Sequence, residues 1–227
     1  MDLPARYQQI DLALVLGSGL GPLAELLTDQ TDLAIPGWKK PSVKGHHGRV
    51  VVGLLGTVKT IAIVGRIHYY EGHGVNQTVL PISLFKTLGV STVILTNASG
   101  GLNSSYRPGD LAVIKDHVSF AGLAGVNPLI GNPAMPQGFP AVADAYDYQL
   151  RLKACTAAQK LDIAVHESVY CFVAGPSFET RAEARFLRSA GCDLVGMSTV
   201  PEVIASVALG MRVLALSLVT NNVILLT

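Results

Sequence analysis

The chain has 227 residues, 49% of them hydrophobic, and a formal net charge of +1 at pH 7. This length and apolar content fit one large domain with a single core, and the near-neutral charge argues against nucleic acid as the main partner. The three cysteines, Cys155, Cys171 and Cys192, lack C-x-x-C spacing, so neither a disulfide framework nor a zinc knuckle is predicted.

Two stretches bear on where the protein acts. The N-terminus, M-D-L-P-A-R-Y-Q-Q-I-D, has no basic segment followed by an apolar one, so no secretory signal is expected. The apolar run 203–219 is divided by Gly210-Met211-Arg212 into pieces shorter than the roughly 20 residues of a membrane span. A cytoplasmic protein with a small-molecule ligand and no membrane partner is therefore expected.

The first predicted strand, Leu12–Leu16, runs directly into Gly17-Ser18-Gly19-Leu20-Gly21, and Pro22 is placed to start a helix that continues through Leu27. Glycines let backbone N–H groups approach an anion, and the dipole of the following helix favours negative charge. The spacing is neither G-x-G-x-x-G nor a P-loop, so a dinucleotide site is disfavoured. The turn is either an anion cradle or only a tight strand-to-helix connection.

A β-hairpin is predicted after an irregular, Pro-rich segment at 31–43; its strands are 50–55 and 58–64. Four histidines flank it, His46, His47, His68 and His73, but they lack the i, i+4 spacing of a helical zinc site, so a metal is disfavoured. Arg66 and His68, two residues apart on an extended segment, project to one face and suit a phosphate. The alternative is a solvated edge strand.

The middle of the chain is predicted to alternate between strands and helices. A helix at 76–88 precedes a strand at 90–95, which ends in a second small-residue turn, 96–101, where backbone N–H groups could meet an anion. After a strand at 111–115, the Gly/Pro-rich loop 119–141 is long enough to be functional or to reach a partner subunit. The helix predicted at 144–159 repeats Tyr148, Leu152 and Cys155 on one face.

The last third is predicted as strand 168–174, helix 179–190, a strand ending at Gly196, helix 201–209 and strand 213–218. Strands that alternate with helices around an embedded hairpin indicate the α/β class with a mixed central sheet. Because ligands bind beyond the carboxyl ends of such strands, Phe178, Glu179, Met197 and Ser198 are candidates to face one pocket. Alternatively, Ser177 or Thr180, and Ser198 or Thr199, simply cap helices.

Seven segments, read together, resemble the trimeric purine nucleoside phosphorylases, in the family's order and over essentially the whole chain. They are G-S-G-L-G at 17–21, G-H-H-G-R at 45–49, G-R-I-H-Y-Y-E-G-H at 65–73, T-N-A-S-G-G-L-N at 96–103, A-G-P-S-F-E-T at 174–180, V-G-M-S-T-V-P-E-V at 195–203 and T-N at 220–221. The resemblance implies a nucleoside phosphorylase-like fold, with residues 1–227 as one domain and a mixed central sheet flanked by helices.

The resemblance further implies phosphorolysis of purine (deoxy)ribonucleosides to free base and (deoxy)ribose 1-phosphate, in purine salvage. Inorganic phosphate is then a co-substrate, and no cofactor and no metal are expected. The residues carried over as phosphate-binding are Ser18, His46, Arg66, His68, Ala98 through its backbone N–H, and Ser198. Those carried over as nucleoside-binding are Tyr70, Phe178, Glu179, Val195, Met197, Asn221 and Phe139.

Three of these residues, Glu179, Asn221 and His68, are implied to be catalytic. Asn221 would donate to N7 and O6 as negative charge builds on the leaving purine, and Glu179 would accept from the ring N–H of a 6-oxopurine. Phe139 resembles the aromatic residue that the family lends to the neighbouring subunit's site, which implies a homotrimer.

Two alternatives accompany this interpretation. Methylthioadenosine phosphorylase is similar overall but carries an acidic residue where this chain has Asn221, so guanosine and inosine are the expected substrates here. The family continues beyond the T-N segment with a gating loop, a histidine at the ribose 5′-hydroxyl and a closing helix, and this C-terminal part is expected to be missing. A truncated nucleoside- or phosphate-binding protein with impaired turnover is the second alternative.

Overall fold

The computed structural model describes residues 3–43 and 45–224. Within them, nine strands join in one mixed sheet with the order β2-β3-β4-β1-β5-β8-β7-β6-β9, and β5 also pairs with β9. The strands are β1 Leu12–Leu16, β2 Thr28–Leu33, β3 Arg49–Leu55, β4 Val58–Val64, β5 Thr92–Gly101, β6 Leu111–Ser119, β7 Val165–Phe172, β8 Leu194–Gly196 and β9 Arg212–Asn222. The predicted mixed central sheet is therefore confirmed, with one addition: the pairings β5–β8–β7–β6–β9–β5 close into a ring.

The α-helices are α1 Val75–Thr87, α2 Phe120–Leu123, α3 Tyr148–Lys160, α4 Arg181–Ser189 and α5 Val200–Ala208. At β1, helices α1 and α5 pack on one face of the sheet, and the 3-10 helix Gly21–Leu26 packs on the other. Strand β1 shows why both faces are covered: Ala13 and Val15 belong to the large core that includes α1 and α5, while Leu14 and Leu16 belong to a second core on the opposite face. The short helix predicted to start at Pro22 is a 3-10 helix, Gly21–Leu26.

Strand β5 positions the site, and one prediction about it is wrong. The segment 96–101 is not a turn but the second half of β5, paired in parallel with β9 throughout. Its polar residues Thr96, Asn97 and Ser99 are buried and hydrogen-bonded: the Thr96 hydroxyl, for example, donates to the Val15 carbonyl at 3.0 Å. At Gly100, a Cβ would lie 2.6 Å from the Val223 side chain, so a larger residue there would have to displace Val223.

Three further predictions differ from the structure. The segment predicted to be irregular from residue 31 begins inside β2, an edge strand antiparallel to β3. Helix α3 starts at Tyr148 rather than 144, because Asp147 caps it by accepting from the Leu150 N–H at 2.9 Å. Its predicted apolar face is not buried, since Tyr148 and Leu152 are exposed. No helix within the described ranges has both the length and the apolar character needed to cross a bilayer.

Candidate functional site

A cavity of about 320 Å³ lies at the carboxyl ends of β1, β4, β7 and β8, and against the later residues of β5 and β9. This is the edge of the sheet where open α/β folds bind ligands. The lining residues are Ser18, Arg66, His68, Tyr70, Asn97, Ala98, Ser99, Gly100, Phe178, Glu179, Val195, Gly196, Met197, Ser198, Thr220, Asn221 and Val223.

The structure brings most of the sequence-predicted site residues together. Eleven of them line this cavity: Ser18, Arg66, His68, Tyr70, Ala98, Phe178, Glu179, Val195, Met197, Ser198 and Asn221. His46 does not line it but lies directly behind, with its Nε2 2.9 Å from the Ser18 hydroxyl and its ring stacked on His68 at 5.1 Å between centroids. Phe139 lies elsewhere, on the surface.

Arg66 occupies a buried position whose surroundings direct its guanidinium. Its Nε is 3.2 Å from Oε1 of Glu202 and its Nη1 donates to the Thr96 carbonyl at 2.6 Å. The remaining nitrogen, Nη2, is buried and has no hydrogen-bond partner among the described residues. An anion in the cavity that Arg66 lines would satisfy this donor.

Gly17 is required beside this guanidinium. A Cβ at residue 17 would lie 2.5 Å from the Thr96 carbonyl oxygen and 3.0 Å from Nη1 of Arg66. The glycine turn after β1 therefore lets the chain pass close to the arginine.

His68 is held by a carboxylate and is neutral at physiological pH. The backbone N–H of His68 donates to Oε1 of Glu71 at 2.7 Å, and its Nδ1 lies 3.1 Å from the same oxygen. Burial and the nearby Arg66 charge lower the pKa of His68 to about 4. Burial raises the pKa of Glu71, but hydrogen bonds from Ser42 and His68 outweigh it and bring that pKa to about 2. With Nδ1–H directed to the carboxylate, Nε2 of the neutral ring is an acceptor.

A second group of lining residues combines apolar side chains with a carboxyl and an amide. Phe178 and Val195 supply apolar walls, and burial raises the pKa of the neighbouring Glu179 carboxyl. The Thr220 hydroxyl lies 2.8 Å from Oδ1 of Asn221 and 3.1 Å from the Ser99 carbonyl, and its one proton can serve either acceptor. The Nδ2 donor of Asn221 has no partner among the described residues, so it can serve a ligand.

Tyr70 and Met197, which also line the cavity, both lie beside Gly175. The Tyr70 ring stacks on His68 with 4.9 Å between centroids. A Cβ at Gly175 would meet both the Met197 side chain and the Tyr70 ring, so the loop after β7 also closes against them.

Sequence analysis did not identify several residues of the site. Asn97, Ser99, Gly100, Thr220 and Val223 line the cavity, and Glu71 and Glu202 lie beneath it as partners of His68 and Arg66. The signal for Glu71 and Glu202 was their position within the quoted segments, each a carboxylate a few residues after a predicted ligand-binding side chain. Nothing in their local pattern distinguishes them from helix-capping acids.

Phe139 is fully exposed and lies in the loop between α2 and α3. It lines a separate cavity of about 340 Å³ with Ile130, Val142 and Ile204. Across the parts of the chain that the structure describes, no group of three or more histidine, cysteine, aspartate or glutamate side chains is placed to hold a metal ion.

Comparisons with known proteins agree on one family. Residues 11–224 match the model of the Phosphorylase superfamily. Purine nucleoside phosphorylase 1 of Bacillus subtilis is 46% identical over 215 residues, which is 92% of this chain and 78% of that protein. The Mus musculus purine nucleoside phosphorylase is 42% identical over 94% of this chain and 76% of its own length. A crystal structure of isoform 2 of the Schistosoma mansoni purine nucleoside phosphorylase, in complex with cytosine and ribose-1-phosphate, matches this fold with a TM-score of 0.91. The two sequences are 41% identical, and the match covers 97% of this chain and 80% of that one.

Proposed function

This chain belongs to the phosphorylase superfamily, among its purine nucleoside phosphorylases, and from that premise we propose that it phosphorolyses guanosine and inosine in preference to adenosine. The observation that carries the proposal is that one cavity is lined both by Arg66 and Ser198 and by Glu179 and Asn221. We propose that an oxyanion binds beside the first pair and a flat heterocycle beside the second, with a sugar between them.

At the proposed phosphate end, Arg66 Nη2 supplies a charged donor, and Ser18 and Ser198 supply hydroxyls. The backbone N–H of Ala98 is also proposed as a donor. In a strand, residues two apart direct their backbone groups to the same edge, and the Thr96 carbonyl accepts from Arg66 at that edge. Since β1 pairs with β5 only as far as Leu95, the edge beside Ala98 is open.

His68 is proposed to accept a hydrogen bond through Nε2 from the remaining P–OH group of the phosphate ion, which keeps its proton. A phosphate aligned in this way presents a deprotonated oxygen to C1′ of the sugar. As the glycosidic bond breaks, the sugar becomes oxocarbenium-like, and the bound phosphate is both its counter-ion and its nucleophile. His46 would keep its place behind the site, where its ring supports Ser18 and His68.

At the proposed base end, negative charge builds on the purine as it leaves. Asn221 Nδ2 would donate to N7 and O6, and Glu179 would accept from the ring N–H of a 6-oxopurine. Phe178 and Val195 would wall the ring, and Tyr70 and Met197 would contact the ribose. An adenine presents a 6-amino donor where guanine and hypoxanthine present an acceptor, which faces the Asn221 donor unfavourably.

Phosphate would serve as co-substrate without a further cofactor, and the product class matches the ribose-1-phosphate in the Schistosoma mansoni structure. Release of free purine and sugar phosphate suits a role in purine salvage. We also propose a homotrimer in which the exposed Phe139 of one subunit completes the nucleoside site of its neighbour.

A phosphate-dependent assay on guanosine, inosine, adenosine and methylthioadenosine tests the proposal. We expect turnover of the first two, strict dependence on phosphate, and formation of a sugar 1-phosphate. Preferred cleavage of methylthioadenosine would overturn the base assignment. Binding of guanine by isothermal titration without turnover of any nucleoside would favour a binding protein instead.

A further inference from the structure

Thr199, at the start of α5, has a backbone conformation that is rare for its residue type. Its φ is 73° and its ψ is −52°, and the Val200 N–H donates to the Ser198 carbonyl at 2.8 Å. These values describe a γ-turn with positive φ, a rare and strained form, and a β-branched residue makes it more unfavourable still. Such a conformation persists only where the surroundings hold it.

A buried chain of hydrogen bonds holds this turn. The side chain of Asn97 donates from Nδ2 to the Thr199 hydroxyl at 2.9 Å, and its Oδ1 accepts from the Ser217 hydroxyl at 2.6 Å. Ser99 lies 2.7 Å from Ser217 and continues the chain, and all four side chains are buried. The Asn97 amide is thus held at both ends, with Nδ2 bonded to Thr199 in the turn and Oδ1 bonded to Ser217 on β9.

The turn sits between two groups of the proposed phosphate end. Ser198, whose hydroxyl is 3.2 Å from that of Thr199, lines the cavity directly. On the other side, the Thr199 carbonyl accepts the Val203 N–H at 2.9 Å and so begins the helix that carries Glu202, the partner of Arg66. A shift of Thr199 would therefore move both the Ser198 hydroxyl and the Arg66 guanidinium.

We propose that Asn97 and Thr199 are a positioning pair for the phosphate subsite, acting through Ser198 and Arg66 rather than by contact with the base. The inference rests on the proposed function. It predicts that loss of the Asn97–Thr199 hydrogen bond weakens phosphate binding while nucleoside binding is largely retained.

The test compares Thr199→Val, which removes the hydroxyl at nearly constant shape, with Thr199→Ser, which retains it. We expect Thr199→Val to raise the KM for phosphate about tenfold, the equivalent of one buried hydrogen bond, and to change the KM for inosine less than twofold. Thr199→Ser should restore a KM for phosphate close to that of the unsubstituted chain. Ser168→Ala removes the buried bond between Ser168 and Tyr106, neither of which lines the cavity; it is the matched control and should change neither KM.

Equal rises in both KM values, or an unchanged KM for phosphate in Thr199→Val, would overturn the positioning role. If Thr199→Val does not fold, Thr199→Ala removes the same hydroxyl with a smaller side chain and is judged by the same criteria. Titration of inorganic phosphate into each folded variant separates this inference from the proposed function. Absence of turnover in the unsubstituted chain would overturn the function alone, whereas equal phosphate affinities of the unsubstituted chain and Thr199→Val would overturn the positioning pair.

Discussion

Arg66 and Glu202 form a buried ion pair, with Nε of Arg66 3.1 Å from Oε2 of Glu202 and both side chains about 95% buried. They are 136 residues apart in the chain and come from different elements, the end of β4 and the first turn of α5. Burial raises the pKa of Glu202, and the Arg66 charge opposes that rise. Each group therefore depends on the other to remain charged away from water.

The first prediction follows from this dependence. Arg66→Ala should lower the free energy of unfolding by about 3–5 kcal/mol, because it leaves a buried carboxylate without its partner. Denaturant unfolding measures the change. The double variant Arg66→Met with Glu202→Leu removes both charges and should recover most of the loss. If Arg66→Ala lowers the free energy of unfolding by less than about 1 kcal/mol, the ion pair does not stabilise the fold as expected.

The second prediction concerns acid stability. The pKa of His68 is lowered from 6.5 to about 4 in the folded chain, so the unfolded chain binds a proton first as the pH falls. Folding stability from this group is therefore present above pH 6.5 and is lost progressively towards pH 4. Between pH 6.5 and 4.5 the loss should be about 2 kcal/mol.

The variant His68→Gln isolates this effect, because it cannot take up a proton. Burial also lowers the pKa of His46, so we expect the substitution to reduce the slope of unfolding free energy against pH without abolishing it. The Glu71 carboxyl, with a pKa of about 2, titrates below this window. Identical slopes for the two chains would show that His68 is not buried in its neutral form.

The third prediction concerns the choice of base. Asn221→Asp replaces the free Nδ2 donor with an acceptor, which suits the 6-amino group of adenosine. We expect the ratio of kcat/KM for adenosine to that for inosine to rise by at least tenfold, measured at saturating phosphate. Asn76→Asp, at an exposed position outside the cavity lining, is the comparison variant. Unchanged selectivity in Asn221→Asp would refute the base-contact role.

The fourth prediction concerns the proposed trimer. Phe139 is fully exposed in the isolated chain, so Phe139→Ala should leave thermal stability of the subunit nearly unchanged. Its effect should instead appear as a several-fold higher KM for nucleoside, with the KM for phosphate unaltered. Leu161→Ala, at another exposed apolar residue, serves as control. Sedimentation of the unsubstituted chain as a monomer would reject the assembly.

The elements predicted correctly from the sequence are those with a strong hydrophobic pattern and clear turn residues at their ends. Strand β1 and the hairpin β3–β4 were correct nearly to the residue, because apolar runs there are bounded by glycine turns. The segment 96–101 misled because small polar residues resemble a loop until their buried partners are known. Its hydrogen bonds join residues that are distant in the chain, such as Val15 and Ser217, and no local sequence pattern predicts these bonds.

The candidate site was predictable to a similar extent. Side chains that face the cavity lay in distinctive segments, whereas the groups that orient them did not. In the sequence, Glu202 is only a carboxylate at the start of a helix, and Asn97 is only a polar residue in a strand. Their roles become clear from the structure, where Glu202 binds Arg66 and Asn97 donates to Thr199. The strained φ of Thr199 likewise has no signature in its residue type.

The pairing of β5 with β9 has a consequence for the order of events during synthesis. Ser99 on β5 meets Ser217 on β9, 118 residues later, and the cavity takes residues from both strands. Contacts so distant in the chain form late, because a long loop must close first. A nascent polypeptide whose β9 segment is still inside the ribosome therefore has no complete binding pocket, and a ligand can stabilise the protein only after β9 has docked on β5.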